Sequence, residues 1–452
     1  MSPSAQASAR TTGTQSQHRT VALAAMAGTT IEWYDFFIYA LCTGLVFGSQ
    51  FFDGLGEDSL VISFATIGIS FFFRPVGAAL AGHLGDRLGR RAMLIATLLL
   101  MGISTTLIGL VPSSAAIGMS APVILVFLRI LQGLSAGGEW GGAALISVEH
   151  APPGQRGRFG SYPQLGAPLG LLLANGALAA VTALTTDDQF LAWGWRIPFL
   201  LSVVLVAAGF VIRRKVEESP VYRELKESGN QSRAPIAVLF KNHWPVVVSG
   251  ALLFAANNAV GYMTTGGYVQ SYSVNHLGMD PTLILICVMV AAVSWLASTL
   301  AGGRLSDRFG RLRVYRVGFV IQLAWMFPFF ALLNTANTAL VVVALVLYSI
   351  GLGLTYGPQA ALFAELYPTA VRYSGAALSY AIGAVLGGAF APMIAEALQS
   401  GTGTVYSVAV YLAGVTVIGL VVTFVLNERQ DAPLSEAEAE AGKKDEQAVA
   451  TA

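Results

Sequence analysis

GHLGDRLGRR (82–91) returns in the second half of the chain as GRLSDRFGRL (303–312), with Asp307 standing where the first copy has Asp86. Each copy is a short charged segment between two long apolar stretches. A second pair follows in the same order. EHAPPGQRG (149–157) is echoed by ELYPTAVRY (365–373), which sets Arg372 opposite Arg156. Two motifs repeated in order predict a duplicated structural unit, and parallel repeats of this kind place a binding site at the interface of their copies.

Composition says what surrounds that unit. The 452 residues are 55% hydrophobic and 11% charged, with mean hydropathy +0.64. Soluble domains carry about 25% charged residues, so the shortfall predicts an integral membrane protein. The 26 basic and 25 acidic residues nearly cancel and form no basic tract, which argues against a nucleic-acid partner. Cys42 and Cys287 lie in apolar stretches without disulfide or metal spacing and read as small core residues. Residues 1–20 are polar and precede the first long helix without a short apolar region and cleavage site; they read as a disordered tail and not a signal peptide.

A membrane span needs about 20 mostly apolar residues. Twelve such stretches are found, at 21–51, 60–85, 92–111, 121–148, 157–184, 193–213, 244–272, 281–303, 313–333, 338–363, 371–396 and 404–427. The fold class is therefore an all-α membrane protein with two six-helix halves, 21–213 and 244–427. A polar linker with short surface helices joins them at 214–243, and a disordered acidic tail follows at 428–452.

The loops after even-numbered spans carry Arg87, Arg90, Arg91, Arg156, Arg158, Arg213, Arg214, Lys215, Arg308, Arg311, Arg313 and Arg372. Those after odd-numbered spans hold Asp53, Glu57, Asp58, Asp187, Asp188 and Asp280, and no Lys or Arg. By the positive-inside rule both termini are cytoplasmic in a multi-pass protein of the cell membrane.

Against that background GTTIEWYDFFIYA (28–40) is conspicuous, because it sets Glu32 and Asp35 in the first span. They lie roughly 16–21 Å from its inner end at about 1.5 Å per residue, near the middle of the hydrocarbon. A carboxylate there costs about 2.5–3.5 kcal/mol on insertion scales, so a function is expected of it. Spacing of three predicts one shared face, extended by Tyr39. Arg129 on the fourth span reaches a similar depth and is the expected ion partner, either as a static pair or as part of a proton-coupled site. The polar stripe continues along that span through Gln132, Ser135 and Glu139, with Glu139 either an inward proton relay or part of a gate.

Arg74 is also mid-span; it is either a structural charge satisfied by carbonyls freed at Pro75 or an attractor for an anion. Arg196 sits in a WGWR cluster that suits interfacial anchoring. The seventh span lacks acids and offers Asn258, Tyr262 and Thr265, which suit recognition of substrate hydroxyls or carboxylate or else polar helix packing. Tyr34, Tyr356 and Gln359 complete the substrate-binding candidates, with Tyr380 a weaker one.

These motifs resemble the major facilitator superfamily over residues 20–427, through both copies of the G-x-L-x-D-R-x-G-R pattern and RILQGLSAG (129–137). EWYDF, FRPVGA, GGEWGG, GWRIPF and ELYPTAVRYSG resemble its metabolite:proton symporters, though Thr29 stands where that group often has Asn. That group carries citrate, 2-oxoglutarate, shikimate and related acids, and proline or betaine. The resemblance implies that Asp35 is the first choice of proton carrier, with Glu32 next. It also implies a cytoplasmic gate formed by Asp86, Arg87, Gly89, Arg90, Glu149, Arg156, Asp307, Arg308, Gly310, Glu365 and Arg372.

The expectation is thus a proton-coupled symporter of a small organic anion, a mono- or dicarboxylate, working as a monomer in the lipid bilayer without cofactor or metal. A zwitterionic compatible solute is the alternative, with Trp33, Tyr34 and Tyr262 able to hold a quaternary ammonium. An enzyme is not expected, since no phosphate loop, nucleophile elbow or zinc motif is present and the five histidines are scattered. A sensor with a transporter fold would need an appended signalling domain, for which the tails leave no room.

Overall fold

The computed structural model describes residues 3–53, 59–214, 218–227, 235–265, 267–430 and 432–434. Glu57, Asp58 and Lys215, and the side chain of Thr265, lie outside the described residues. Six long helices make each half. The first half holds α1 (Pro3–Cys42), α2 (Ser59–Leu88), α3 (Arg90–Leu110), α4 (Ser120–Glu149), α5 (Arg156–Leu184) and α6 (Arg196–Arg214). The second holds α7 (Trp244–Thr265), α8 (Pro281–Phe309), α9 (Arg311–Leu333), α10 (Thr338–Leu366), α11 (Thr369–Thr402) and α12 (Tyr406–Val425).

Among the described residues, 11 of these are long and apolar enough to cross a membrane by length and composition. The twelfth, α1, has its hydropathy lowered by Thr29, Thr30, Glu32 and Asp35, the residues that make it interesting. Gly89 (φ +110°) and Gly310 (φ +101°) divide α2 from α3 and α8 from α9 with a backbone turn that side-chain-bearing residues rarely adopt. At the opposite ends, Asp280 accepts the Leu283 N–H (2.9 Å) to start α8 and Asn337 accepts from Ala339 (3.1 Å) to start α10.

The halves meet along α2 against α11 and α5 against α8, matching pairs under the sequence repeat. Within the first half, α2 lies close on α4 because Gly133 and Gly137 leave room for the backbone at Ser70 and Arg74. That contact brings Arg74 into the bundle centre.

The described residues of the two terminal segments continue from the helical body. Helix α1 runs from Pro3 and so includes the described part of the stretch 1–20. The start of the C-terminal tail, to Leu434, packs on the arginine-rich end of the bundle, where Leu434 is buried. The linker forms the expected short helices, Pro220–Glu227 and Pro235–Asn242.

Candidate functional site

Asp35 is fully buried between α1, α3 and α6. Thr105 donates to its Oδ2 (2.8 Å) and Ser202 to its Oδ1 (2.6 Å). Arg129 is not its ion partner. The Arg129 guanidinium lies over the Tyr39 ring at 3.7 Å, donates to Gln132 Oε1 (2.7 Å), and makes a longer contact to the Thr66 carbonyl (3.4 Å). Gln132 in turn donates to Thr105 Oγ1 (2.8 Å), so arginine and aspartate are joined by a chain of two neutral side chains.

Thr105 is the pivot of that chain. Its hydroxyl has one proton and two acceptors in reach, Asp35 Oδ2 and the Met101 carbonyl (2.9 Å). With Asp35 ionised the proton points to the carboxylate. With Asp35 protonated the hydroxyl accepts from Asp35 and from Gln132 and donates to Met101 instead, leaving every group satisfied. The site thus accommodates both charge states with a rotation of one hydroxyl.

Glu32, three residues before, faces another way. Among the described residues it makes no hydrogen bond or ion pair, and the charges acting on it are Glu139, Arg74, Arg213 and Asp35. The two acids, roughly 60° apart around α1, meet different neighbours. Arg74 is buried beside the rings of Phe71 (4.4 Å), Phe36 (5.3 Å) and Trp33 (6.0 Å). It has no acid partner among the described residues, and its Nε is buried without an acceptor, so carbonyls freed at Pro75 do not satisfy that atom.

From the second half, Tyr262 packs its ring edge-on against Phe36 and Phe71, with its hydroxyl beside Arg74 but outside hydrogen-bonding geometry. Asn258 lies one turn away and donates to the Ala384 carbonyl (3.3 Å).

Two further substrate candidates, Tyr34 and Tyr39, are engaged elsewhere. Tyr34 donates to the Pro198 carbonyl (2.9 Å) on α6, away from Arg74, because its position on α1 faces the neighbouring helix. Tyr39 is hydrogen-bonded to Thr66 (2.6 Å) under Arg129. Gln359 lies where α10 meets α5, its Oε1 3.5 Å from Gln164, which also donates to the Tyr356 carbonyl (3.1 Å); the Tyr356 hydroxyl is 3.5 Å from that of Tyr380 and lies within the field of Glu32 and Arg74.

Glu139 pairs with Arg213 and accepts from Thr97 (2.6 Å). Sequence counting put Arg213 in a loop, yet its side chain is buried, crossing α1 where Gly28 has no side chain to block it.

The arginine-rich end forms a seam with near two-fold symmetry. Asp86 accepts from the Ser374 N–H (3.2 Å) and hydroxyl (2.8 Å), near the start of α11. Asp307 accepts from the N–H groups of Gly157 (2.6 Å) and Arg158 (2.8 Å), at the start of α5. Each carboxylate therefore caps a helix of the opposite half. Arg90 stands 3.9 Å from Asp86 and 3.4 Å from Glu149; Arg311 stands 2.7 Å from Asp307 and 3.2 Å from Glu365. Across the seam Glu149 meets Arg372 (3.6 Å) and Glu365 meets Arg156 (3.7 Å). Arg87 and Arg308, by contrast, are exposed.

Sequence reasoning missed Arg311 as a seam residue, although the repeat aligns it with Arg90. It also missed Glu218 and Glu428, which accept the backbone N–H groups of Arg90 (3.1 Å) and Arg311 just beyond the sixth and twelfth helices. Beyond Glu428, Arg156 donates to the Ala432 carbonyl (2.6 Å) and Arg372 to that of Leu434 (3.1 Å). An aromatic layer was missed as well. Trp140 stacks on Tyr380, which stacks on Phe254 at 4.1 Å, roughly 12 Å further in from Arg372 at about 1.5 Å per residue.

The sequence model described as Major Facilitator Superfamily matches residues 22–392. The chain is 42% identical to the inner membrane metabolite transport protein YhjE of Escherichia coli, covering 89% of this chain and 93% of that one. It is 37% identical to the E. coli shikimate transporter (92% and 96% covered) and 33% identical to the glycine betaine/proline/ectoine/pipecolic acid transporter OusA of Dickeya dadantii (91% and 83%). Among solved structures, the proton:xylose symporter XylE superposes with TM-score 0.79 at 20% identity, over 94% of this chain and 99% of that one, which speaks to the fold alone.

Proposed function

The chain belongs to the major facilitator superfamily, and on that premise we propose that it carries a small organic anion inward together with protons, by alternating access between its halves. As a member it is a multi-pass membrane transporter of metabolites and not an enzyme. The finer reading rests on charge balance at the bundle centre. Glu139 is neutralised by Arg213, so once Asp35 carries its proton Arg74 and Arg129 face a single ionised acid among the described residues, Glu32. Two buried cations against one acid favour an anionic cargo.

In this reading Asp35 takes up the proton, and Thr105 and Gln132 report its charge state to Arg129. Glu32 and Glu139 are the further acids on the proton's side of the site. Protons are the coupling ion and no other cofactor takes part. The seam residues act as the gate at the cytoplasmic face, both termini lie on that side, and a single chain suffices. Closure of that gate is supported by the four carboxylates, Asp86, Glu149, Asp307 and Glu365, that bond across the halves.

A zwitterionic cargo is the second reading, favoured by the rings of Trp33, Phe36 and Phe71, which would equally suit a quaternary ammonium. Proteoliposomes with an imposed inward proton gradient separate the two. The first reading expects accumulation of small carboxylates that collapses when the gradient is dissipated. Accumulation of glycine betaine with carboxylates inert transfers the assignment to the second.

A further inference from the structure

Resting on the organic-anion reading above, we propose that Arg74 and Tyr262 form a carboxylate clamp shared between the two halves, and that the cargo is a monocarboxylate with a flat or ring-shaped body. The two buried arginines at the centre are not equivalent. Arg129 is largely committed: its guanidinium lies on Tyr39 at 3.7 Å and its Nη1 is held by Gln132 at 2.7 Å, which leaves Nη2 as its one buried nitrogen without an acceptor. Arg74 has rings on its flanks, a buried Nε without an acceptor, and no acid partner among the described residues.

Beside it stands a second buried donor without a partner, the Tyr262 hydroxyl. A carboxylate is the group that satisfies both, since its two oxygens accept from the guanidinium fork and from the phenol together. Arg74 comes from α2 and Tyr262 from α7, so one bound carboxylate ties the first half to the second. That is the linkage a carrier needs if cargo is to favour closure of the site around it.

The surroundings define the rest of the cargo. Phe36 and Phe71 contact both Arg74 and Tyr262, and Trp33 closes the same side, so the body behind the carboxylate meets aromatic faces. A second carboxylate on that body would find a single donor on Arg129, its Nη2, in place of a two-pronged fork, and Glu32 within the field of Arg74. One negative group and a flat body fit; two negative groups do not.

The test is calorimetric binding to the full-length chain in lipid nanodiscs, with benzoate and shikimate as ring monocarboxylates, succinate as a dicarboxylate, and glycine betaine. The wild-type chain should bind both monocarboxylates, and succinate at least about tenfold more weakly. Arg74→Gln and Tyr262→Phe should each weaken the monocarboxylates by about tenfold or more, the range of a hydrogen bond to a charged group. Tyr262→Phe keeps the ring against Phe36 and Phe71, so it tests the hydroxyl even if Arg74→Gln fails to fold.

Wild-type affinity in Tyr262→Phe and in folded Arg74→Gln would overturn the clamp while leaving an anion carrier. Succinate binding as tightly as benzoate would overturn the monocarboxylate class. Binding of glycine betaine alone, or of none of the acids, would overturn the underlying anion reading.

Discussion

The indole of Trp140 and the phenol of Tyr380 lie face to face across the two halves, with ring centroids 4.0 Å apart and planes within 6°. The indole N–H is fixed by Gln164 Oε1 (2.6 Å), so the stack is held from behind as well. Such pairs contribute about 0.5–1.5 kcal/mol beyond their area burial. Trp140→Leu should keep the space filled and lose the stack, raising the share of molecules open at the arginine-rich end about two- to tenfold. A cysteine at Ala377, buried on the same α11 face, reports this by its rate of maleimide labelling in a background without Cys42 and Cys287. An unchanged rate would show that the stack does not hold the seam shut.

Asp35→Asn should abolish accumulation against a gradient while substrate exchange continues, because exchange moves no net proton. Thr105→Val is the sharper variant. It leaves the carboxylate and its Ser202 bond intact and removes the one side chain that connects Asp35 to Gln132. Accumulation should fall several-fold with exchange preserved. Full accumulation in Thr105→Val would mean that the chain to Arg129 carries no signal.

Glu139→Gln leaves Arg213 buried without a carboxylate, which should cost about 3–5 kcal/mol and appear as a lowered unfolding temperature. Adding Arg213→Met should recover most of that loss, because the uncompensated charge is gone. Transport by the double variant then separates two roles. Wild-type accumulation makes the pair a structural strut, and lost accumulation in a stable protein assigns Glu139 to the proton's route.

The matched helix caps predict matched phenotypes. Asp86→Asn and Asp307→Asn should each lower the maximal transport rate with little change in substrate affinity, since both lie at the seam and far from Arg74. Initial-rate measurements over a range of substrate concentrations would show it. A raised half-saturation constant at unchanged maximal rate would remove them from the gate.

Orientation has its own test. A reporter inserted within 218–227 should be cytoplasmic, and one at Asp187 or Asp188 should lie on the far side of the membrane. Opposite labelling at either position would invert the topology.

The twelve-helix plan was legible because it needs only hydropathy, loop charge and a repeated motif, all of which are properties of position along the chain. Partnerships were less so, because they depend on rotation and tilt. Arg129 and Asp35 sit at similar depth, yet Gln132 and Thr105 stand between them. Arg213 was counted with the loops since it ends a span, and nothing in its neighbours' identity says that Gly28 on another helix clears its way inward. Tyr262 was readable from the polar spacing of its helix; that its hydroxyl would meet Arg74 from the opposite half was not.

Glu218 and Glu428 do the same work at the same place in each half, closing the backbone at the start of α3 and of α9. The segment behind the sixth helix therefore does for the first half what the start of the tail does for the second. Dissection of the chain should respect that border. Two separately expressed pieces should reassemble when the cut falls within 228–234, after the Pro220–Glu227 helix, and fail when it falls directly behind Arg214, because only the first cut leaves each fragment its own closing glutamate.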